Sequence, residues 1–219
     1  MLFPNICVGC ERELLESERL LCLSCRFNLP RTYYLKNHEN RTAKLFWGRA
    51  DLLHASSYLF FRKGALVQNC MQLLKYKSRP DVGEDLGKWY GQELLEASCL
   101  PSGGLVFPVP LHPAKKIQRG YNQAAAIGEG LAEGLGWELE ENTLIRMVAT
   151  ESQTKKNRHQ RWLNVSEAFR LLKPEKIEGK DILLVDDVVT TGATLEACCN
   201  TLKKGNPGSI SVATLAIAD

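Results

Sequence analysis

The sequence has no long apolar run and no secretory leader of the usual kind. No stretch approaches the roughly eighteen consecutive apolar residues that a membrane-spanning helix needs. The N-terminal Met-Leu-Phe-Pro-Asn-Ile-Cys contains no basic region followed by a long apolar core. These absences disfavour membrane spanning and secretion, and we expect a cytoplasmic protein.

A strong charge of either sign is also missing. Lys and Arg number 28 against 25 Asp and Glu, which leaves a formal net charge of +3. So small a surplus permits contact with nucleic acid without being evidence for it. The 219 residues, 44% hydrophobic and 24% charged, are enough for one medium α/β domain and a small appendage.

Half of the eight cysteines form two Cys-x-x-Cys pairs near the N-terminus. Cys7, Cys10, Cys22 and Cys25 follow the spacing C-x2-C-x11-C-x2-C, in which each tight turn aims two thiolates at one ion. Four thiolates are typical of structural zinc, and so short a segment would draw much of its folding free energy from the metal. A redox-active pair is the competing interpretation. The other cysteines are expected to be buried: Cys70, Cys99, Cys198 and Cys199.

Residues 182–185 are four consecutive apolar residues that lead into two carboxylates and a small, hydroxyl-rich turn. An unbroken apolar run is typical of a strand in a parallel sheet, which is covered on both faces. The pattern predicts a buried strand, a loop and a helix over about residues 194–202. Ligands of open α/β sheets bind where strand ends meet helix N-termini. The alternative is an ordinary buried strand followed by an Asp-rich turn.

The residue types in this loop suit an anion beside a sugar. Glycine and alanine let the backbone approach an anion closely, and threonine hydroxyls and successive N–H groups lie at the positive end of the helix dipole. Asp186 and Asp187 would repel a phosphate, so we expect them to face sugar hydroxyls or a metal ion. The residues predicted to hold the phosphate are Thr190, Thr191, Gly192, Ala193 and Thr194, and Val188 and Val189 before them are also predicted to contact the ligand.

Residues 181–194 closely resemble the motif that binds 5-phosphoribosyl-1-pyrophosphate (PRPP) in type I phosphoribosyltransferases: a hydrophobic strand, two acids and a Thr-Thr-Gly-x-Thr loop. The resemblance implies an α/β fold with a mostly parallel twisted sheet flanked by helices, and PRPP with Mg2+ as ligands. We therefore divide the chain into residues 1–50, a zinc ribbon with its connector, and residues 51–219, a phosphoribosyltransferase-like domain.

Hydrophobic periodicity gives the other expected elements of the main domain. The predicted strands span residues 55–61, 105–110 and 209–218. The predicted helices span residues 65–76, 85–95 and 124–135. Residues 26–50 are polar and basic and are expected to be a connector.

Two basic stretches offer contacts for a second anionic group. Residues 75–80 concentrate three cations around an aromatic side chain, and Lys115, Lys116 and Arg119 follow the strand at residues 105–110. A pyrophosphate leaving group carries several negative charges and needs such cations. The alternative for the first stretch is a solvated helix end whose cations offset the helix dipole.

Several motifs together resemble the ComF family, the competence-protein-F group. Residues 109–115 read Val-Pro-Leu-His-Pro-Ala-Lys, residues 119–124 read Arg-Gly-Tyr-Asn-Gln-Ala, and residues 74–77 read Leu-Lys-Tyr-Lys. With the four-Cys ribbon and the PRPP motif, the resemblance spans nearly the whole chain. It implies that His112, Lys115 and Lys75 contact PRPP. It also implies an association with DNA uptake, with other competence proteins as partners.

Residues 150–169 occupy the position of the mobile loop that closes over the substrate in type I phosphoribosyltransferases. Lys155 and Lys156 replace the Gly and aliphatic residues that often follow Gln-Thr, which makes the segment more basic. Closure would bring cations such as Arg158 to the pyrophosphate. A disordered charged loop is the alternative. The family pattern is matched by Gln153, Thr154, Arg158, Arg161, Asn164, Val165, Ala168 and Phe169.

Three functional hypotheses follow from these patterns. In the first, the protein transfers phosphoribosyl from PRPP to an unidentified acceptor, with Asp186, Asp187 and Arg119 as catalytic residues. In the second, it is a competence factor that binds single-stranded DNA, whose bases stack on Tyr121 and Trp162. In the third, it senses PRPP without catalysis. We expect any acceptor pocket to come from the N-terminal 60 or so residues.

Overall fold

The computed structural model describes residues 5–62, 66–147 and 168–218. The described strands are β1 (His54–Phe61), β2 (Leu105–Pro108), β3 (Glu138–Leu139), β4 (Leu144–Arg146), β5 (Phe169–Leu171), β6 (Asp181–Val189) and β7 (Ser209–Ala218). The described helices are α1 (Leu23–Phe27), α2 (Arg41–Lys44), α3 (Leu66–Tyr76), α4 (Pro80–Ala97), α5 (Pro113–Arg119), α6 (Gln123–Leu135) and α7 (Ala193–Leu202). None of these helices has the length and apolar character needed to cross a bilayer.

Five strands form one parallel sheet in the order β1-β7-β6-β2-β3. The central strand, β6, pairs with β7 from Asp181↔Ser209 to Val189↔Ile217, and with β2 on its other side. Parallel neighbours need long crossover connections, which the helices between them provide. The predicted fold class is confirmed: a parallel α/β sheet flanked by helices, with a four-Cys cluster at the N-terminus.

Alternate residues of β6 belong to two separate hydrophobic cores. Leu183 and Val185 lie in the core that includes residues of α3, α4 and α6. Ile182 and Leu184 lie in the core that includes residues of α7. Because successive side chains of a strand point to opposite faces, helices cover both faces of the sheet.

Helices α4 and α6 approach each other backbone to backbone through glycines. A methyl group on Gly130 of α6 would collide with the carbonyl oxygen of Glu84 on α4. In the same way, a methyl group on Gly87 would collide with the carbonyl oxygen of Ile127. The sequence analysis did not predict this contact, which joins the two helices into one layer over the sheet.

The N-terminal ribbon packs on α3 and α4. Leu20 belongs to the same buried cluster as residues of these helices. Arg19 lies 3.6 Å from the Asp85 carboxylate, and the Arg26 guanidinium lies 4.2 Å from the centre of the Trp89 ring. The division of the chain at residue 50 stays a prediction.

The connector is more than a polar linker. Its residue Arg31 forms an antiparallel bridge with Leu59 of β1, and Thr32 N–H donates to the Tyr58 carbonyl at 2.9 Å. These contacts cover the outer edge of β1, which would otherwise expose unpaired backbone groups. Further along, Phe46 is only 1% exposed and belongs to the core on the α7 side.

Some element boundaries differ from those expected. Strand β6 continues past Val185 and includes the acid pair, because Asp186 and its successors still pair with β7, as in Asp186↔Thr214. Helix α4 begins at Pro80, where the fixed φ of proline suits the first helical position. Beyond β2, which ends at Pro108, the expected irregular turn contains the short helix α5.

Candidate functional site

The acid pair lies at the carboxyl end of the central strand. Asp187 N–H donates to Oδ1 of Asp186 at 2.8 Å, and Val188 N–H donates to Oδ1 of Asp187 at 2.6 Å. Burial, followed by the charge of Asp187, raises the pKa of Asp186 to about 7. The Asp186 carboxyl therefore keeps its proton to a higher pH than an exposed aspartate does.

Two cations stand near these acids. Lys75, in the last turn of α3, places Nζ 2.8 Å from Oδ2 of Asp187. Lys75 and Arg146 of β4 both act to lower the pKa of Asp186, but burial and Asp187 outweigh them. The sequence predicted that Lys75 contacts PRPP, and in the structure Lys75 forms an ion pair with the Asp187 carboxylate. Arg146 was not predicted.

The turn after β6 leaves the start of α7 open. Gly192 has φ of +75°, a left-handed conformation that favours glycine, and it directly precedes the helix. Gly192 offers no capping side chain, and Ala193 N–H makes only a long hydrogen bond of 3.5 Å to Oγ1 of Thr191, so the described side chains leave the start of α7 largely open to a ligand. Thr190 and Thr191 are exposed and line an open pocket together with Asp186. Such a helix start is suited to an anion.

Arg49 of the connector reaches the outer side of this turn. Its Nη1 donates to the Thr191 carbonyl at 2.9 Å and to the Leu45 carbonyl at 2.8 Å. Its Nε donates to Oε2 of Glu196, in the first turn of α7, at 3.0 Å. Sequence reasoning missed Arg49, because Thr191 and Glu196 lie more than a hundred residues away from it along the chain and no local motif marks it.

The side chain of Arg119 takes part in a separate cluster. Its Nη1 donates to Oε1 of Gln123 at 2.7 Å, and its guanidinium lies 6.0 Å from the centre of the exposed Tyr76 ring. Among the described residues, no hydrogen bond or ion pair joins Arg119 to Asp186 or Asp187.

The remaining predicted PRPP ligands are also spread out. His112 accepts a hydrogen bond at Nδ1 from Ala114 N–H at 3.2 Å and thereby caps α5. Lys115 is exposed on that helix. Arg158 lies outside the described residues. The structure thus brings together the acid pair, Lys75 and the open turn. His112 precedes α5 and Lys115 lies on it, and among the described residues neither makes a hydrogen bond or ion pair with the acids.

The four predicted metal ligands form one cluster. The sulfur atoms of Cys7, Cys10, Cys22 and Cys25 all lie within 4.8 Å of one another, and those of Cys10 and Cys22 are 3.7 Å apart. Metal–sulfur bonds of about 2.3 Å in a tetrahedron require sulfur separations of about 3.8 Å, so the cluster fits such an ion.

Backbone groups favour the thiolate form at Cys7. Burial alone would raise the pKa of Cys7, but hydrogen bonds to its sulfur outweigh burial and lower the pKa to about 6. Two of these bonds come from Cys22 N–H at 3.2 Å and Gly9 N–H at 3.4 Å. The thiolate is the form that binds metals. A residue larger than Gly9 would not fit at this position, because its Cβ would lie 2.8 Å from the sulfur of Cys25.

Residues 124–218 match the family model described as a phosphoribosyl transferase domain. The matched range contains the acid pair and the turn after β6. Among solved structures, the chain is similar to the glutamine PRPP amidotransferase of B. subtilis, with 21% identity and a TM-score of 0.46. That alignment covers 67% of this chain and 30% of the amidotransferase.

Curated relatives carry names that refer to DNA. The chain is 32% identical over 142 residues to "DNA utilization protein YhgH" of Salmonella typhi, and the alignment covers 64% of this chain and 62% of the relative. It is 37% identical over 112 residues to "Competence protein ComFC" of Bacillus subtilis, and this alignment covers 51% of this chain and 43% of the relative. The chain thus spans about three fifths or less of the length of these relatives. The chain is thus similar to competence and DNA utilization proteins over part of its length, and residues 124–218 match a phosphoribosyltransferase-type domain.

Proposed function

We propose that the protein binds PRPP and transfers its phosphoribosyl group to an acceptor with loss of pyrophosphate. The observation that carries this proposal is the tip of β6, where two carboxylates precede a helix whose N-cap residue, Gly192, has no capping side chain. The acids suit the 2′- and 3′-hydroxyls of a ribose, because carboxylate oxygens accept their hydrogen bonds. The open turn suits the 5′-phosphate. A cytoplasmic location stays a prediction.

In the proposed reaction, the bond between C1 of the ribose and pyrophosphate breaks and an acceptor nucleophile bonds to C1. Pyrophosphate leaves with the electron pair of the broken bond, and the acceptor releases its proton. Asp186 and Asp187 fix the ribose and stabilise the positive charge that develops on it. Lys75, released from Asp187, and Arg119 would contact the leaving group.

The two carboxylates are also suitable ligands for Mg2+, since this ion prefers oxygen. When bound together with PRPP, Mg2+ neutralises part of the charge on pyrophosphate. At the N-terminus we propose a structural zinc ion held by Cys7, Cys10, Cys22 and Cys25, because the sulfur positions fit tetrahedral coordination.

Calorimetry with PRPP and Mg2+ tests the proposed site. We expect the wild type to bind PRPP and the double variant Asp186→Ala, Asp187→Ala to bind it at least about 100-fold more weakly, because charge-assisted hydrogen bonds are lost at two positions. Asp181→Ala is the matched control, since it removes a carboxylate from the opposite end of the same strand. Unchanged affinity in a folded double variant would refute the assignment.

Release of pyrophosphate distinguishes transfer from sensing. Incubation with PRPP, Mg2+ and a panel of bases, amines and oligonucleotides should release pyrophosphate with at least one acceptor. Binding of PRPP without release with any acceptor would favour a PRPP-sensing regulator, a role compatible with the same fold.

A second candidate function is binding of single-stranded DNA. Tyr76 favours this function, because its side chain is 71% exposed and the Arg119 guanidinium lies over its ring. Lys115, four residues before Arg119 in the sequence, is also exposed. An exposed aromatic ring among cations can stack on a base while the cations meet phosphates. The names of the relatives, which mention DNA utilization and competence, agree with it.

Gel retardation of an oligonucleotide at increasing salt tests this second function. Binding should weaken steeply as salt rises, and Tyr76→Ala should weaken it by about tenfold or more. Tyr33→Ala is the control, because Tyr33 is a similarly exposed tyrosine in the N-terminal connector. Absence of retardation at low salt would exclude this function.

A further inference from the structure

Arg49 of the connector contacts the proposed phosphate turn, and neighbouring residues hold its backbone in place. Arg49 N–H donates to the Phe46 carbonyl at 2.9 Å, and Ala50 N–H donates to the same carbonyl at 3.0 Å. Phe46 itself is buried and packs against the turn, since a methyl group on Gly192 would lie 3.1 Å from its ring. The backbone of Arg49 is therefore fixed next to the turn.

A buried polar network attaches this part of the connector to the sheet. The hydroxyl of Thr42 lies 2.7 Å from that of Ser57, which in turn lies 2.6 Å from that of Thr214. Asn40 caps α2 by accepting from Ala43 N–H at 2.9 Å, and its Nδ2 donates to a β1 carbonyl. Satisfied buried networks of this kind hold a segment rigidly. The support of Arg49 thus extends to β1 and β7.

The contact between Arg49 and the Thr191 carbonyl determines how the next peptide group is oriented. In a planar trans peptide the C=O of one residue and the N–H of the next point in opposite directions, and the described residues contain no cis peptide bond. With its carbonyl on Arg49, Thr191 directs the Gly192 N–H away from the connector. No hydrogen bond among the described residues uses that N–H.

Arg49 also controls a negative charge beside the turn. Glu196 lies in the first turn of α7, where its carboxylate would repel a bound phosphate. Both Nε and Nη2 of Arg49 contact Oε2 of Glu196, which holds the carboxylate on the connector side.

We propose that Arg49 is a positioning residue for the 5′-phosphate: it fixes the turn after β6 with the Gly192 N–H oriented toward the ligand. This inference rests on the proposed function for its ligand, but the order of the turn can be measured without any ligand. It makes the N-terminal connector part of the proposed PRPP site without giving it a catalytic residue.

Hydrogen exchange and calorimetry on the full chain test the role of Arg49. In Arg49→Ala without ligand, we expect the backbone amides of residues 190–196 to exchange about tenfold faster than in the wild type. Ribose 5-phosphate and PRPP should bind about tenfold more weakly or worse, whereas pyrophosphate, which lacks the 5′-phosphate, should bind as before. Lys44→Ala is the control, since it removes a cation of the same connector that lies over the Trp47 ring.

Two further variants separate positioning from simple neutralisation of charge. Arg49→Lys keeps the charge but cannot reach all three partners at once, so its effects should lie between those of the wild type and Arg49→Ala. In Arg49→Ala, Glu196→Gln the weak binding of ribose 5-phosphate should persist. Recovery of wild-type affinity in that double variant would mean that Arg49 only neutralises Glu196, and would overturn the inference.

Failure of the inference is distinguishable from failure of the proposed function. A wild type that binds neither PRPP nor ribose 5-phosphate would refute the proposed function alone, and the exchange rates would still decide the role of Arg49. Equal exchange of residues 190–196 in Arg49→Ala, Arg49→Lys and the wild type would overturn the positioning role.

Discussion

Asp186 is the residue with the most unusual environment at the proposed site. Lys75 forms its ion pair with the neighbouring Asp187 and not with Asp186. Burial and the charge of Asp187 together raise the pKa of Asp186 from 3.8 to about 7. Between these two pH values the folded protein keeps a proton that the unfolded chain releases. The contribution of Asp186 to stability therefore falls as pH rises from about 4 to about 7.

Replacing Asp186 with asparagine should remove this cost of ionisation. We expect Asp186→Asn to raise the free energy of unfolding at pH 8 by about 1 kcal/mol or more, and to raise it by less at pH 5. Denaturant titrations at the two pH values measure the difference. Asp187→Asn is the comparison variant, and it should be destabilising because it leaves Lys75 without its partner. An equal effect of Asp186→Asn at both pH values would contradict the raised pKa.

At the residue scale, the sequence was sufficient to predict those site residues that lie next to one another along the chain. The acid pair, the threonines and Gly192 occupy consecutive positions, so a strand followed by a turn placed them together. Arg49 and Arg146 reach the site from remote segments. A lone arginine carries no local pattern, and only the packing of the connector on the sheet shows its partners.

At the scale of single elements, the contact between α4 and α6 depends on glycine. Gly130 and Gly134 of α6 face carbonyl groups of α4, and Gly87 of α4 faces a carbonyl group of α6. Helices whose side chains are this small can approach until their backbones touch. An added methyl group must then displace backbone rather than a flexible side chain, so the helices would have to separate.

Gly130→Ala tests this packing. The methyl group would collide with the Glu84 carbonyl oxygen, and overpacking should lower the free energy of unfolding by about 2 kcal/mol. This loss should exceed the gain of about 1 kcal/mol that alanine usually gives in a helix. Gly103→Ala is the matched control, because a methyl group there meets nothing within 4 Å. Urea titrations of both variants measure the effect, and a Gly130→Ala as stable as the wild type would contradict the close approach.

Elements with a strong hydrophobic period were predicted close to their observed bounds. The helix expected at residues 124–135 spans Gln123–Leu135, and the last strand was placed at residues 209–218, where β7 lies. Strand β6 proved longer than expected, because its polar end is held by pairing with β7 rather than by apolar side chains. The glycine contact was missed because it involves two helices and no apolar pattern.

At the scale of the whole molecule, the cysteine cluster and the main sheet are parts of one packed structure. Cys7 and Cys22 are buried in the same cluster as Leu20, Val67 and Leu86. Arg19 and Asp85 add an ion pair across the contact. Loss of the ribbon's order would therefore expose apolar surface on α3 and α4. The spacing of the cysteines predicted the cluster but could not show what it packs against.

Removal of the proposed zinc ion should consequently destabilise more than the first 25 residues. The wild type should contain one zinc per chain by elemental analysis, and Cys10→Ser, which changes the exposed ligand, should contain markedly less. Its thermal midpoint should fall by about 5 °C or more, because the core under the ribbon loses its cover. Cys99→Ser is the control, since this half-buried cysteine lies outside the cluster. A full zinc content and an unchanged midpoint in Cys10→Ser would show that the four thiolates hold no ion on which the fold depends.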